Sequence, residues 1–197
     1  GNVTDYFYRV EFQQRGSPHI HMIVWVENAP TFNSNTNIEI TEYVDQFLQC
    51  SIDDLEIQNL IEIQIHKHSR TCRKKVDKIC RFGYPLPPLP RTMVLDPLEK
   101  DKDKYDKLYQ ILQKKMNDQK DGYDMTYEQF LNTVVQMNEK DYILCIRSSL
   151  NSSKVFLKRS PKEIRVNLYN RDILRAWKAN IDIQFVLDPY ACAMYIV

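Results

Sequence analysis

Glycine is scarce in this chain, with 4 residues in 197, and long apolar runs are missing. Four glycines are too few for a barrel that depends on many tight turns. No apolar run approaches the roughly 20 residues that a membrane-spanning helix needs. A secretory signal pattern is missing too. These absences predict a protein with no membrane partner.

The net charge is also close to zero, because the chain has 27 Lys and Arg residues and 26 Asp and Glu residues. Such a balance gives no strong overall field to attract nucleic acid. The positive charge is clustered, however, in two stretches that run from His66 to Arg91 and from Lys154 to Lys178. The five cysteines are odd in number and follow no secretory signal, so they predict reduced intracellular thiols.

The length predicts one domain over residues 1–197, with a long insertion at about 30–138. Both ends read as cut from a longer polypeptide, and the C-terminal end stops in the middle of a pattern. The insertion is basic and rich in Cys, His and Pro. Four prolines within residues 85–90 forbid regular structure and predict an extended surface path.

Periodicity predicts an α+β protein with a central antiparallel sheet of about five strands, flanked by helices. The predicted strands cover 4–13, 19–26, 141–147, 154–157 and 181–187, and the first two form a hairpin. The predicted helices cover 38–49, 101–116, 126–137, 169–180 and the segment after Pro189. Residues 55–65 fit both a helix and a strand. Thr126 with Gln129, Asn170, and Asp188 followed by Pro189 supply the signals for helix starts.

All four histidines fall in His-x-His pairs, and the first pair is His19 and His21. On a strand, residues two apart share a face, so both rings project side by side. They can bind a metal, or they can simply face solvent. The opposite face, with Ile20, Met22 and neighbouring valines, is apolar, which indicates a central strand. A hairpin turn through Gly16 places Glu11 on the histidine face, where two imidazoles and a carboxylate leave coordination positions open.

These residues carry a family resemblance. A carboxylate, a glycine turn and His-hydrophobic-His on a central strand resemble the HUH endonucleases. The segments EFQQRGSPHIHMIVWV, HKHSRTCRKK, CRFGYPLPP and AWKANIDIQFVLDPYACAMYIV resemble the Helitron rolling-circle transposases, in their helicase-like N-terminal domain. The resemblance runs from about Tyr6 to Val197 and implies an HUH/Rep nuclease fold.

The resemblance also implies an activity. A tyrosine hydroxyl attacks a phosphodiester of single-stranded DNA and leaves a 5′-phosphotyrosine and a free 3′-hydroxyl. A phenol with a pKa near 10 needs help at neutral pH, which a divalent ion, Mg²⁺ or Mn²⁺, supplies. By resemblance the metal ligands are His19 and His21, with Glu11 as the candidate third. The resemblance further implies a nuclear location and a helicase domain that follows in the parent polypeptide.

The implied nucleophile is Tyr195, the first of two tyrosines four apart on a late helix in the family. Its partner would be residue 199, beyond the sequence. Tyr190 is five residues earlier, about 140° around a helix, so it cannot address the same phosphate from the same face. Taken without the metal triad, Tyr195 reads as an amphipathic core residue.

The second histidine pair leads into two cysteines as His-x-His-x₃-Cys-x₇-Cys, formed by His66, His68, Cys72 and Cys80. This set predicts a structural zinc that anchors the insertion, although the spacing matches no standard finger. The alternative is a basic loop whose side chains meet DNA phosphates. The remaining cysteines lie in apolar contexts and read as small core residues.

The residues expected to bind DNA are Arg15, Arg70, Arg73, Lys74, Lys75 and Arg81, interleaved with Phe82 and Tyr84.

Two other functions remain open from the residues. The chain can be a DNA-binding remnant of a Helitron-like element that keeps the metal but does not cut. It can also be a cupin-type metalloenzyme, because Glu27 lies on the same strand face as the His-x-His pair. The gap of five residues between His21 and Glu27 and the scarcity of glycine both disfavour the cupin.

Overall fold

The computed structural model describes residues 1–12, 18–69, 72, 80–119 and 122–196, with the side chains of residues 195 and 196 excepted. These residues divide into two compact units. Unit 1 comprises 1–43 and 185–197, and unit 2 comprises 44–184. The insertion boundaries expected from the sequence stay a prediction.

Helices and short strands alternate irregularly along the chain. The elements are β1 Val3–Phe12, β2 Pro18–Val26, α1 Asn37–Phe47, α2 Gln58–Gln64, β3 Met93–Leu95, α3 Lys102–Asp118, α4 Tyr127–Phe130, α5 Glu139–Ser148, β4 Lys154–Phe156, α6 Arg171–Trp177 and α7 Pro189–Ile196. Two 3₁₀ turns cover Leu55–Ile57 and Pro161–Glu163, and a π-helical turn over Leu131–Val135 continues α4. No helix among the described residues is long and apolar enough to cross a membrane.

The class is α+β, but the expectation of a central five-stranded sheet is wrong. Within the described part of the chain, β1 pairs with β2 and β3 pairs with β4, giving two antiparallel sheets of two strands each. Two of the five expected strands are not strands at all. Residues 141–147 and residues 181–187 do not form strands, for different physical reasons.

Residues 141–147 form most of helix α5 instead of a strand. Tyr142, Cys145 and Ile146 are fully buried, and their spacing of three and one is that of one helix face. Asn138 begins the helix, because its side chain accepts a hydrogen bond from the Asp141 backbone N–H at 2.9 Å. The bulky apolar run favoured a strand in the sequence, whereas this capping signal decides for the helix.

Residues 181–187 keep the alternating exposure of a strand but have no strand partner in the described residues. At the start of this segment, side chains instead of a neighbouring strand form hydrogen bonds with the backbone. The Ile181 backbone N–H donates to Gln64 Oε1 at 3.1 Å, and its carbonyl accepts from Asn167 Nδ2 at 2.6 Å. The alternation of apolar and polar residues in this segment therefore reflects a half-buried extended chain and not pairing with another strand.

The main core of unit 2 lies where α3 packs against α5 and α4. Phe130, Tyr142, Met116, Ile146 and Ile164 are completely buried at its centre. Helix ends agree with the sequence: Thr126 and Gln129 form a complete capping box, and Asn170 caps α6. The ambiguous segment 55–65 becomes a 3₁₀ turn followed by α2.

The proline-rich segment 85–90 forms neither helix nor strand, as expected, but the expected surface path is wrong, because most of it is buried. Prolines have no N–H to satisfy, so only their carbonyls need partners in the interior. The Pro88 carbonyl accepts from Tyr142 Oη at 2.9 Å, and the Pro85 carbonyl accepts from Gln113 Nε2 at 3.1 Å. Leu89 pairs by its backbone with Arg159.

Candidate functional site

The β1–β2 hairpin of unit 1 brings the first predicted metal ligands to one face. Its register pairs Glu11 with His19 and Arg9 with His21. Residues directly opposite in an antiparallel pair share a face, and so do residues two apart, so all four side chains project together. The His21 Nε2 atom lies 3.5 Å from Glu11 Oε2, and the two imidazole centroids are 4.6 Å apart.

This arrangement is open and only partly shielded from solvent. His19 is exposed, whereas the His21 side chain keeps 17% of its accessible surface and Glu11 keeps 42%. A carboxylate and two imidazoles on one side are the donors of a site with free coordination positions. The same 3.5 Å contact also serves as an ion pair when His21 is protonated. The three donors are therefore assembled on one face, and their role as metal ligands stays a prediction.

Arg9 is a residue of this face that the sequence reasoning missed. Its Nη2 atom lies 3.6 Å from Glu11 Oε1, and nearly half of its side chain is exposed. The signal was present, because Arg9 has the same strand parity as Glu11. A guanidinium beside three metal donors can contact the oxygens of a phosphate held there.

The other face of the hairpin is apolar, as the sequence predicted, but β2 is not a central strand. It pairs with β1 alone among the described residues. Tyr8, Met22 and Val24 are consequently exposed by 55%, 56% and 41%. The apolar alternation of β2 therefore does not require a second neighbouring strand, since the described residues supply none besides β1.

The predicted nucleophile lies on α7, which begins where the sequence predicted. The Asp188 side chain accepts a hydrogen bond from the Ala191 backbone N–H at 3.0 Å, which caps the helix. The backbone of Tyr195 is helical, and its side chain lies outside the described residues. Tyr190, on the same helix, is 76% exposed. Helix α7 and the hairpin belong to the same compact unit.

The second His-x-His pair is brought together with both predicted cysteines in unit 2. One donor atom from each of His66, His68, Cys72 and Cys80 lies within 4.8 Å of the other three. Among the described residues, no other group of three or more His, Cys, Asp or Glu side chains brings its donor atoms this close together. Glu11, His19 and His21 on the hairpin do not reach this distance. Cys72 and Cys80 are 1% and 4% exposed, so the group is enclosed. It can hold a metal ion, and all four ligands come from the protein, as in structural sites.

Backbone hydrogen bonds position the four ligands. The His66 N–H donates to the Arg165 carbonyl at 2.8 Å, which fixes the chain just after α2. The Arg81 N–H donates to the Cys72 carbonyl at 2.9 Å, which brings the two cysteine backbones together. The His66 ring stacks on Tyr84 with centroids 4.3 Å apart. These contacts place two segments against each other without help from regular secondary structure.

Burial affects two ionisable side chains at the Cys/His group, Cys80 and Tyr84. It raises the pKa of the Cys80 thiol above its ordinary value. Burial also raises the pKa of the Tyr84 phenol, whose hydroxyl donates to Asn167 Oδ1 at 2.8 Å. All five cysteines are free thiols, so no disulfide occupies the two cysteines of the group.

Most of the predicted DNA-binding residues cannot be placed. Arg15, Arg70, Arg73, Lys74 and Lys75 lie outside the described residues. Arg81 is exposed, and its guanidinium carbon lies 4.5 Å from the centroid of the Phe82 ring, itself 53% exposed. Tyr84 is buried, so its predicted place on the DNA-contacting surface is wrong.

Comparison with known proteins gives one match. Residues 1–24 match the family model of the Helitron helicase-like domain at N-terminus. This short stretch includes Glu11, His19 and His21. No curated protein and no solved structure matches the chain. The match supports a Helitron-like N-terminal domain over β1 and most of β2.

Proposed function

We propose that this chain nicks and joins single-stranded DNA in a metal-dependent reaction of rolling-circle transposition, through a 5′-phosphotyrosine intermediate. The observation that supports the proposal most is the hairpin face. The family match covers a segment of 24 residues, and within it the fold assembles Glu11, His19 and His21 on one side of two strands. One carboxylate and two imidazoles are also the ligand types of a metal site that keeps coordination positions open.

In this proposal the residues of the face have two roles, metal binding and contact with the DNA phosphate. Glu11, His19 and His21 hold a divalent ion, Mg²⁺ or Mn²⁺, which supplies Lewis-acid polarisation of the scissile phosphate. Arg9 contacts a non-bridging phosphate oxygen and orients the DNA. The Tyr195 oxygen attacks phosphorus, the bond from phosphorus to the 3′-oxygen breaks, and that oxygen leaves as a 3′-hydroxyl after taking up a proton. Rejoining reverses these steps with another 3′-hydroxyl.

The donor sets of the two sites suit different ions. The hairpin face offers one carboxylate and leaves positions open for water and phosphate oxygens, which Mg²⁺ and Mn²⁺ need to complete their coordination. Two cysteines and two histidines in an enclosed group instead favour Zn²⁺, which we assign to His66, His68, Cys72 and Cys80. The proposed partners are single-stranded DNA and a helicase domain further along the parent polypeptide, and the proposed location is the nucleus.

The test uses a chain that continues past residue 199 and a single-stranded oligonucleotide labelled at its 3′ end. With Mn²⁺ or Mg²⁺, a labelled covalent adduct that survives denaturing electrophoresis is expected. Tyr195→Phe should remove the share of adduct that Tyr195 forms while leaving DNA binding intact. Tyr190→Phe is the matched control, because Tyr190 is exposed on the same helix and should leave the adduct unchanged.

Two outcomes would count against this function. An unchanged adduct level in Tyr195→Phe moves the nucleophile to another residue. No adduct from the unmodified protein under either metal, together with retained binding of single-stranded DNA, supports the inactive DNA-binding remnant instead. That second function needs the same hairpin and basic residues but no tyrosine chemistry.

A further inference from the structure

Two of the ligand separations in the Cys/His group of unit 2 match those of a zinc tetrahedron. A tetrahedral ion with bonds of about 2.0–2.3 Å separates its ligand atoms by roughly 3.3–3.8 Å. Cys80 Sγ lies 3.3 Å from His66 Nε2, and Cys72 Sγ lies 3.6 Å from His68 Nδ1. These separations indicate which ring nitrogens face the ion: Nε2 of His66 and Nδ1 of His68.

Among the described residues, the other nitrogen of His68 lies close to two groups with opposite requirements. Its Nε2 atom lies 3.2 Å from Asn117 Oδ1 and 2.7 Å from Arg165 Nη1. A guanidinium only donates, so the contact with Arg165 needs a lone pair on Nε2 and places the ring proton on Nδ1. A carbonyl oxygen only accepts, so the contact with Asn117 needs a proton on Nε2 and leaves the lone pair on Nδ1.

Only the second arrangement is compatible with an ion at Nδ1. A protonated Nδ1 cannot be a ligand, so Arg165 favours the form of His68 that does not bind, and Asn117 favours the form that does. Arg165 keeps other partners in either case, because its Nη2 donates to the carbonyls of Asn117 at 3.3 Å and Gln119 at 3.1 Å.

We propose that Asn117 is the positioning residue of a zinc site formed by His66 Nε2, His68 Nδ1, Cys72 Sγ and Cys80 Sγ, and that zinc binding transfers His68 Nε2 from Arg165 to Asn117. The proposal rests on the assignment of zinc to this group. Because Asn117 lies in the last turn of α3, the ion also fastens that helix end to the segment after α2.

The first measurement is the zinc content and the zinc affinity of the full chain, the latter by competition with a chromogenic chelator. One zinc per chain is expected. Asn117→Leu should lower the affinity by about 10- to 100-fold, the usual cost of losing an outer partner of a ligand histidine. Asn117→Asp should restore or exceed the original affinity, because a carboxylate is a stronger acceptor for the ring N–H.

The control variant is Gln110→Leu, an amide on the exposed side of the same helix, which should leave zinc affinity unchanged. Arg165→Gln should not lower the affinity, because its carbonyl oxygen can also accept from Nε2–H. A loss in Arg165→Gln as large as in Asn117→Leu would contradict the tautomer argument. If Asn117→Leu does not fold, Asn117→Asp still decides, because it has the same shape: a higher zinc affinity than the wild type then supports the role of Asn117, and an equal or lower affinity overturns it.

Two further readouts separate the positioning role from the zinc assignment. Cobalt substitution should give the charge-transfer band of thiolate ligands, and nitrogen NMR should show Nδ1 of His68 as the metal-bound atom. A chain without zinc, without this band or with a Cys72–Cys80 disulfide overturns the zinc site itself. Zinc bound with equal affinity in the wild type, Asn117→Leu and Asn117→Asp leaves the zinc site in place and overturns the role of Asn117.

Discussion

The two His-x-His pairs have the same spacing and lie in opposite settings. His19 and His21 stand on a two-stranded hairpin, where they are partly exposed and face one carboxylate. His66 and His68 follow a helix in an irregular segment and meet two buried cysteines. Spacing alone therefore does not define a metal site. The residues brought opposite the pair determine whether the site is open to a substrate or closed around an ion.

The largest expected effect comes from replacing either histidine pair, because one replacement should change DNA nicking and the other should change zinc content. Changing His19 and His21 to Ala should reduce nicking to background while zinc content stays the same, because the hairpin contributes no ligand to the enclosed group. Changing His66 and His68 to Ala should abolish zinc binding. The measurements are adduct formation and metal analysis of both double variants. Zinc lost from the hairpin variant would show that the two sites are not separate.

Core substitutions should distinguish the two units almost as sharply. Tyr142→Ala removes a fully buried ring from unit 2 and should lower the free energy of unfolding by about 3–5 kcal/mol. Tyr8→Ala removes a ring that is 55% exposed on the hairpin, and should cost less than about 1 kcal/mol. Urea unfolding measures both. Equal costs would mean that the apolar hairpin face is covered in solution.

Removal of zinc by a zinc-selective chelator should destabilise unit 2 and leave the hairpin unaffected. Zinc at 100 times its dissociation constant stabilises the folded state by roughly 2.7 kcal/mol. Each unit holds one tryptophan, Trp25 in unit 1 and Trp177 in unit 2, so Trp25→Phe and Trp177→Phe variants report on the units separately. After chelation only the Trp177 signal should shift to lower urea. A shift of the Trp25 signal alone would reverse the assignment.

A smaller effect is expected from the cation on the hairpin face. Arg9→Gln should weaken binding of single-stranded DNA a few-fold at every sequence, because it removes one phosphate contact. The slope of log affinity against log salt should fall by about 0.7 for a single strand. Fluorescence anisotropy at several salt concentrations measures both. Lys140→Gln, an exposed change in unit 2, is the control, and an unchanged slope in Arg9→Gln would remove Arg9 from the site.

The smallest effect concerns acid stability within unit 2. The Arg171 guanidinium beside Asp54 holds the pKa of that carboxyl below its ordinary value. The folded state therefore gains stability above the ordinary aspartate pKa, near 3.9, and loses it as pH falls through the lower folded value. Asp54→Asn should flatten this part of the stability profile, measured by unfolding between pH 2 and pH 5. An unchanged profile would show that the pair is fully screened by solvent.

Local signals were read correctly where one short segment decides the structure. The hairpin, the capping box at Thr126, the cap at Asn170 and the start of α7 at Asp188 all follow from neighbouring residues. Arg9 was missed although strand parity placed it beside Glu11. The helix at 141–147 was also missed, although Asn138 supplies a capping side chain just before the apolar run.

The sequence by itself determined which side chains share the hairpin face, since a strand alternates its faces with a period of two. It also determined the donor set of the second pair, whose cysteines follow within a dozen residues. Only the tertiary structure decided that residues 181–187 lack a strand partner and that the prolines lie in the interior. It also decided that Asn117 and Arg165, 49 and 97 residues from His68, meet the same ring nitrogen. These outcomes depend on contacts between distant segments, and no local periodicity encodes them.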